Sequence, residues 1–259
     1  YLLKGDGIYM FRMICVLIML SACTNNESTH SPIANKSRVS HWITEASKSF
    51  VFIETAISFT TVCNGEQSGC VETSKAIHSA MGSGMTIKQK GGIYVLTAGH
   101  ICQPQHYDPL LLPLGHTGTT TNYLMGHGFY GNKTEFEILG VNIAKDICIL
   151  KPKSRWISPP AKLAKKMPKQ GSSLYMVAAP LGIFEPGVVL GFDGYYAGLD
   201  SEGDILVSMP TRPGSSGAAI LDKENKVVGI IHSAISRIEN VGIGTPVTAI
   251  HELFKTIDK

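Results

Sequence analysis

The segment T-R-P-G-S-S-G-A-A-I-L, residues 211–221, sets two adjacent serines between Gly214 and Gly217 and then continues as a short apolar run. Glycine adopts backbone angles that other residues avoid, so this loop can turn sharply and direct consecutive amides into one concavity. Such a concavity binds a negatively charged oxygen, and a serine hydroxyl at its edge can act as a nucleophile. The same letters also fit an ordinary turn, so the interpretation depends on what the rest of the chain supplies.

Short apolar, β-prone segments recur from about residue 50 onward, separated by turn-forming residues. Charged residues make up 17% of the chain, which has 27 glycines and 13 prolines, a balance typical of turn-rich β proteins. Near the end the apolar spacing of Ile250, Leu253, Phe254 and Ile257 changes to that of a helix face. The predicted strands are F-V-F-I-E-T (50–55), G-M-T-I-K (84–88), I-Y-V-L-T-A (93–98), I-C-I-L (147–150), L-Y-M-V-A-A (174–179), G-V-V-L-G (187–191), D-I-L-V-S-M (204–209), A-A-I-L (218–221) and K-V-V-G-I-I (226–231).

A serine nucleophile needs a base to take its proton and an anion to orient that base. His100 ends the apolar segment I-Y-V-L-T-A-G-H, and Asp146 directly precedes the apolar strand I-C-I-L. Each residue taken alone also fits a structural role, the histidine in a packed strand end and the aspartate in a turn. Both stand at the end of a rigid element, which is where a catalytic side chain can be held in place.

Together, the histidine, aspartate and serine segments resemble the chymotrypsin-like (trypsin-like) serine proteases in type and chain order. T-A-G-H (97–100) is similar to that family's Thr-Ala-Ala-His, and D-I-C-I-L (146–150) to its Asp-Ile-Ala-Leu-Leu. P-G-S-S-G-A-A (213–219) resembles the Pro-Gly-Asn-Ser-Gly-Gly-Ala of the Deg/Htr-type members. Further similar segments, such as G-S-G-M-T-I (82–87), extend the resemblance over roughly residues 50–258.

The resemblance implies an all-β, chymotrypsin-like double barrel: two six-stranded antiparallel β-barrels packed together, with a C-terminal helix. It implies a serine endopeptidase with Ser216 as nucleophile, His100 as general base and Asp146 as the residue that orients the base. The amides of Gly214 and Ser216 would then form the oxyanion hole. The partner would be a protein or peptide substrate, no cofactor is expected, and the PDZ domain of many Deg/Htr proteins is expected to be absent.

Residues 10–23 read like an export signal with a lipidation site. Arg12 precedes the apolar run 13–20, which suits the core of a secretory signal and is too short for a spanning helix. Leu20-Ser21-Ala22-Cys23 resembles the lipobox of bacterial lipoproteins, in which the cysteine carries the lipid. We therefore expect residues 1–9 to lie upstream of the start, 10–22 to be a signal peptide and 23–48 to be a polar tether from lipidated Cys23. The protein is then membrane-anchored in the bacterial cell envelope, periplasm-facing or at the outer surface.

The remaining residues, 49–259, form the predicted protease domain, with a first barrel at about 49–152 and a second barrel plus helix at about 171–259. A basic, proline-containing linker at about 153–170 separates them. Its densest basic run, 161–169, contains no aromatic residues for base stacking, and the net charge is only +3. These features argue against nucleic-acid binding.

An exported protein can form disulfides. With Cys15 and Cys23 set aside, four cysteines remain, and four cysteines allow three pairings. Cys63 and Cys70 bracket the turn-forming N-G-E-Q-S-G and suit a local bridge, which leaves Cys102 to pair with Cys148. No C-x-x-C or H-E-x-x-H occurs, so no metal site is expected.

Two departures from the family pattern bear on activity. Ser215 stands where digestive enzymes have an aspartate that receives the freed N-terminus, so we expect a site that forms without zymogen activation. Ala218 replaces a glycine usual in the family, and its methyl would impair catalysis if it crowded the loop. The alternative is therefore a catalytically impaired protease-fold lipoprotein that binds peptides or proteins. An α/β-hydrolase esterase is excluded because Ala218 breaks Gly-x-Ser-x-Gly and strands do not alternate with helices.

Substrate preference is the least clearly encoded property. Thr211 and His232 fall near positions that line the specificity pocket in this family, and the pair resembles the arrangement in glutamyl endopeptidases. That resemblance predicts a preference for an acidic residue before the scissile bond. In the alignment His232 is offset by about one position, and a one-residue slip on a strand turns the side chain to the opposite face.

Overall fold

The computed structural model describes residues 36–60, 74–90, 92–104, 119–235, 238 and 240–257. The chain divides into two compact units, Tyr1–Arg38 and Val39–Lys259, and the fold described below is that of the second. Signal segment 10–22, Cys23 and the predicted Cys63–Cys70 bridge lie outside the described residues.

Six antiparallel strands close into a first barrel in the spatial order β1-β2-β3-β6-β5-β4. Inward-facing side chains such as Val51 and Ile53 fill its interior, while Phe50 and Phe52 on the other face of β1 pack towards the second barrel. The strands are β1 Phe50–Thr60, β2 Ser74–Gln89, β3 Gly92–Thr97, β4 Thr119–Gly128, β5 Lys133–Asn142 and β6 Ile147–Pro152.

A second antiparallel barrel has the order β11-β8-β9-β10-β13-β12 and is closed by pairing of β11 with β12. The strands are β8 Ser173–Ala178, β9 Leu190–Leu199, β10 Ile205–Val207, β11 Ala219–Leu221, β12 Lys226–Ala234 and β13 Gly242–Pro246. The predicted double barrel is therefore confirmed. The predicted strand at 187–191 is only partly present: β9 begins at Leu190, Gly187 lies in a turn, and Val188 forms an isolated bridge with Glu185.

The linker between the barrels is hydrogen-bonded to both of them. Ala161 donates its amide to the Thr86 carbonyl of β2 at 2.8 Å, and Ala164 donates to the Val227 carbonyl of β12 at 2.8 Å. Between these contacts the short strand β7, Lys162–Leu163, runs parallel to β12. The crossing is thus fixed against both barrels instead of being a free connection.

Two helices cover the ends of the fold. The C-terminal helix α3, Val247–Ile257, buries Ile250, Leu253 and Phe254, as its spacing predicts. The first helix α1, Lys36–Ser49, occupies the second half of the segment 23–48 that is expected to be a polar tether. Ala46 is buried in the core and Ile43 packs against it, so ordered structure begins before the domain boundary expected at residue 49. No helix among the described residues has the length and apolar character needed to cross a membrane.

A core shared by both barrels and α3 holds the two halves together. Side chains from β1, β2, β3 and β6 meet side chains from β8, β11 and β12 there, with helix residues filling one end. Its largest fully buried contributors from the first barrel are Phe50, Met85, Ile87, Leu96, Ile147 and Ile149. Because the barrels pack face to face, the loops that end β3, β5 and β10 come to one common edge.

Candidate active site

His100 lies where β3 ends and the single-turn helix α2, Gly99–Cys102, begins. The preceding Thr97, Ala98 and Gly99 are all buried, so the backbone that carries the imidazole is enclosed by the first barrel. The His100 side chain itself keeps 27% of its surface exposed. A rigid base with an accessible ring is therefore available at this edge.

Asp146 ends the turn between β5 and β6 and holds both the ring and the backbone of His100. Its Oδ2 accepts from His100 Nδ1 at 2.7 Å, and its Oδ1 accepts from the His100 amide at 2.8 Å. The residue has a left-handed φ of +45°, which aspartate tolerates better than most residues. Burial alone would raise the pKa of Asp146, but the hydrogen bonds and charge of His100 outweigh it, and the pKa lies below its ordinary value. The carboxylate is thus ionised and fixes the orientation of the imidazole.

A disulfide joins the two elements that carry His100 and Asp146. Cys102 and Cys148 are bonded, as predicted, with Cα atoms 6.5 Å apart. Each cysteine lies two residues after the base or the acid. The disulfide therefore links the same two elements that the His100–Asp146 hydrogen bonds link.

The loop that carries Ser216 is a tight turn followed by a close backbone contact. Ser215 donates its amide to the Arg212 carbonyl at 2.9 Å. Pro213 and Gly214, the latter with φ +94°, occupy the central positions, which is the pattern of a type II turn. The Pro213 carbonyl accepts from the Leu181 amide at 2.7 Å, so the Gly214 amide of the same peptide plane points the opposite way.

Gly217 brings this loop against the strand that carries the base. A methyl group at Gly217 would lie 2.2 Å from the Thr97 hydroxyl and 3.0 Å from the Ala98 nitrogen, so only glycine fits there. Its φ of +85° also requires glycine. The structure thus brings Ser216 to the same edge as His100 and Asp146. Within the described part of the chain, the amides of Gly214 and Ser216 donate to no acceptor, as an oxyanion hole requires.

Ser83, which the sequence motifs do not single out as a functional residue, organises the Ser216 loop. Its amide donates to the Ser216 carbonyl at 2.7 Å and its carbonyl accepts from Thr97. Its hydroxyl donates to the Gly214 carbonyl at 2.8 Å and accepts from the Ala179 amide at 3.0 Å. The available signal was a small polar residue between two glycines in G-S-G-M-T-I, a pattern that suits close backbone approach.

The predicted specificity residues have separate environments. Thr211 is buried, and its hydroxyl donates to the Met209 carbonyl at 3.2 Å and faces Gly242. His232 instead faces the carboxylates of Asp146 and Asp204. The structure thus places two carboxylates beside His232, and the preference for an acidic residue stays a prediction.

Ala218 does not crowd the loop. It is fully buried and belongs to the apolar core of the second barrel, together with residues such as Met176 and Ile220. Its amide donates to the Ser215 carbonyl and its carbonyl accepts from Ile231, both at 2.9 Å. In the described ranges no group of three or more His, Cys, Asp and Glu side chains is arranged to hold a metal ion.

Residues 82–230, more than half of the chain, match the family described as trypsin-like peptidase domain. HtrA-like serine proteases of Staphylococcus aureus strains USA300 and NCTC 8325 are each 23% identical over 206 residues, which covers 71% of this chain and 24% of theirs. The chain thus spans about a quarter of the length of these curated relatives.

Among solved structures, the serine endoprotease from Yersinia pestis superposes with a TM-score of 0.59 at 14% identity. The match covers 84% of this chain and 65% of that one. At this identity the likeness is one of fold.

Proposed function

Because the chain belongs to the trypsin-like peptidase domain family, we propose that it is a serine endopeptidase. Ser216 is the nucleophile, His100 the general base and Asp146 the residue that orients the base. The observation that carries this proposal is the double hydrogen bond from His100 to Asp146, made beside a loop whose Gly214 and Ser216 amides have no acceptor among the residues that the structure describes. An ordinary turn needs neither feature.

The chemistry begins when the Ser216 hydroxyl attacks the carbonyl carbon of the scissile peptide bond. His100 takes the hydroxyl proton on Nε2, and Asp146 stabilises the resulting imidazolium through Nδ1. The amides of Gly214 and Ser216 donate to the oxyanion of the tetrahedral intermediate. His100 then gives its proton to the leaving amine, and an acyl-enzyme forms. In the second half of the reaction His100 takes a proton from water, which attacks the acyl-enzyme, and returns it to the Ser216 oxygen as the acyl group leaves.

Export and anchoring form the second part of the proposal. The apolar run 13–20 and the segment Leu20–Cys23 support cleavage before Cys23 and its lipidation. The Cys102–Cys148 disulfide supports an oxidising compartment independently of the N-terminal residues. The proposed location is the bacterial cell envelope, with the domain held at a membrane surface and acting on proteins or peptides.

Labelling with a fluorophosphonate probe tests the catalytic proposal. We expect the wild-type protein and Ser215→Ala to be labelled and Ser216→Ala not to be. Ser215 is the matched control because it is the adjacent serine in the same loop. Label retained in Ser216→Ala would refute the assignment of the nucleophile, and an unlabelled wild type would favour the alternative, a peptide- or protein-binding module.

Metabolic incorporation of a clickable fatty acid tests the anchor. We expect the full-length chain to acquire the lipid and partition with membranes, and Cys23→Ser to do neither. Cys15→Ser, which changes a cysteine inside the proposed signal, is the control and should retain the lipid. Lipid on Cys23→Ser would contradict the proposed site.

A further inference from the structure

His232 lies at an irregularity in β12, where the pairing with β13 shifts register between Ile231 and Ser233. A β-bulge of this kind turns a side chain away from the direction that regular alternation would give it. The ring is largely buried, with Nδ1 at 3.9 Å from Asp146 Oδ2 and Nε2 at 3.6 Å from Asp204 Oδ2. His232 therefore bridges a carboxylate of the first barrel and one of the second.

The Asp146 oxygen that faces His232 is the one that also binds the His100 ring. Both distances from His232 exceed hydrogen-bond length, so in this state the contacts are electrostatic and steric. Nε2 of His232 has no hydrogen-bond partner among the described residues, although it is buried. A shift of about 0.4 Å would bring Nε2 within bonding distance of Asp204, and one of about 0.7 Å would do the same for Nδ1 and Asp146.

Asp204 is itself tied back to the turn that carries Asp146. Lys145 Nζ lies 3.0 Å from Asp204 Oδ1 and donates to the Glu202 carbonyl at 2.6 Å. The Lys145 carbonyl also accepts from the Thr245 hydroxyl of β13. The residue next to Asp146 is thus held by the second barrel on both its side chain and its backbone.

The charges around the His232 ring come from Asp146, Asp204 and His100, with Lys145 behind Asp204. Burial lowers the pKa of His232, and this outweighs the two carboxylates, which raise it. The ring is therefore neutral at neutral pH and carries a single N–H. A single N–H can serve one carboxylate at a time, so which nitrogen carries the proton decides which carboxylate is held.

We propose that His232 is a positioning residue for Asp146: its Nδ1 side holds the oxygen that binds His100, and its Nε2 side packs against Asp204. This inference rests on the proposed function, in which Asp146 orients the base. Since His232 acts through Asp146, its loss should slow turnover without weakening substrate binding. A misplaced catalytic group costs up to about 10²-fold in rate.

Asparagine and glutamine separate the two sides of the ring. The amide nitrogen of His232→Asn lies near the former Nδ1 position and can donate to Asp146, whereas that of His232→Gln reaches the former Nε2 position. His232→Leu removes both ring nitrogens. Matched controls are the same three substitutions at His127, which is similarly buried in the first barrel and pairs with Glu54 at 2.7 Å.

We expect His232→Asn to keep kcat within about threefold of wild type, and His232→Gln and His232→Leu to lose about 10- to 100-fold with KM unchanged. The His127 variants should retain wild-type kcat. Equal kcat in all three His232 variants, or KM rising as much as kcat falls, would overturn the proposal. Should a His232 variant melt below the assay temperature, Asp204→Asn takes its place, since it removes one of the two charges at almost constant volume.

A spectroscopic measurement separates this proposal from the proposed function. The low-field proton NMR resonance of His100 Nδ1–H, bonded to Asp146, is observable whether or not the protein hydrolyses anything. We expect His232→Leu to shift or broaden it and His127→Leu to leave it unchanged. An inactive wild type in which His232→Leu still moves this resonance would refute the endopeptidase but not the positioning role. A resonance unmoved by His232→Leu would refute the positioning role alone.

Discussion

Replacing Ser83 by alanine tests whether buried hydrogen bonds hold the Ser216 loop in its observed conformation. The Ser83 hydroxyl links the Gly214 carbonyl and the Ala179 amide at 2.8 and 3.0 Å. Ser83 is fully buried. In Ser83→Ala, therefore, neither partner can bond to water in place of the hydroxyl, and both are left unpaired.

The expected loss follows from these two unpaired groups. Each costs about 1–3 kcal/mol, so the free energy of unfolding should fall by about 2–6 kcal/mol. In a domain of this size a loss of about 3 kcal/mol lowers the Tm by roughly 6–12 °C. Because Gly214 supplies a proposed oxyanion donor, kcat should also fall, by less than the roughly 10²–10³-fold that loss of a whole donor costs.

Urea unfolding followed by fluorescence, together with hydrolysis of a chromogenic peptide, measures both effects. Ser158→Ala is the matched control, because Ser158 is also buried but its hydroxyl has no partner in the part of the chain that the structure describes. That variant should be as stable as wild type or slightly more stable. If Ser83→Ala loses less than about 0.5 kcal/mol, or no more than Ser158→Ala, the reasoning is refuted.

Three further predictions follow from individual contacts. Gly217→Ala should abolish fluorophosphonate labelling, because its methyl would lie 2.0 Å from the Ser83 carbonyl oxygen. Gly187 has the same φ of +85° but open space around it, so Gly187→Ala should lower the free energy of unfolding by only about 1–2 kcal/mol and keep the label. Equal effects of the two substitutions would contradict this reasoning. Replacing Cys102 and Cys148 together by serine should cost about 4 kcal/mol by the loop-closure relation, because the bridge spans 46 residues, and an unchanged urea midpoint would contradict it. The lowered pKa of Asp146 means that its carboxylate stabilises the fold above the ordinary Asp value of about 4 and that this contribution is lost as pH falls through the lowered value. Asparagine also tolerates a positive φ, so Asp146→Asn should be clearly less stable than wild type at pH 7 and nearly as stable as wild type in strong acid. If Asp146→Asn is also less stable than wild type in strong acid, the loss of stability does not come from the ionised carboxylate.

The strands most readily predicted from sequence are those that contain a run of apolar residues. β3 and β12 each contain such a run, with three and five consecutive buried residues, and the run predicts where they lie. An apolar run does not identify β5, because its first half alternates exposed and buried residues with lysine, threonine and glutamate among them. Its signal lies in period-two alternation, which a search for apolar runs overlooks.

Helix α1 is missed by sequence-based prediction for a different reason. Its segment is polar on average, and among its described side chains Ile43 and Ala46 meet the core. A short amphipathic helix gains most of its stability from the surface it covers. That surface is supplied by the barrels, so composition alone predicts a tether.

From the sequence, the double barrel and the pairing of His100 with Asp146 are predictable through the family resemblance that short motifs at strand ends carry. The Cys102–Cys148 bridge is predictable through the local pairing expected of Cys63 and Cys70. The bond from Ser83 to Gly214, 131 residues away, and the two carboxylates that face the His232 ring are apparent only in the folded protein. The reason is that the face on which a strand side chain emerges depends on register and bulges, which the packing of distant strands sets.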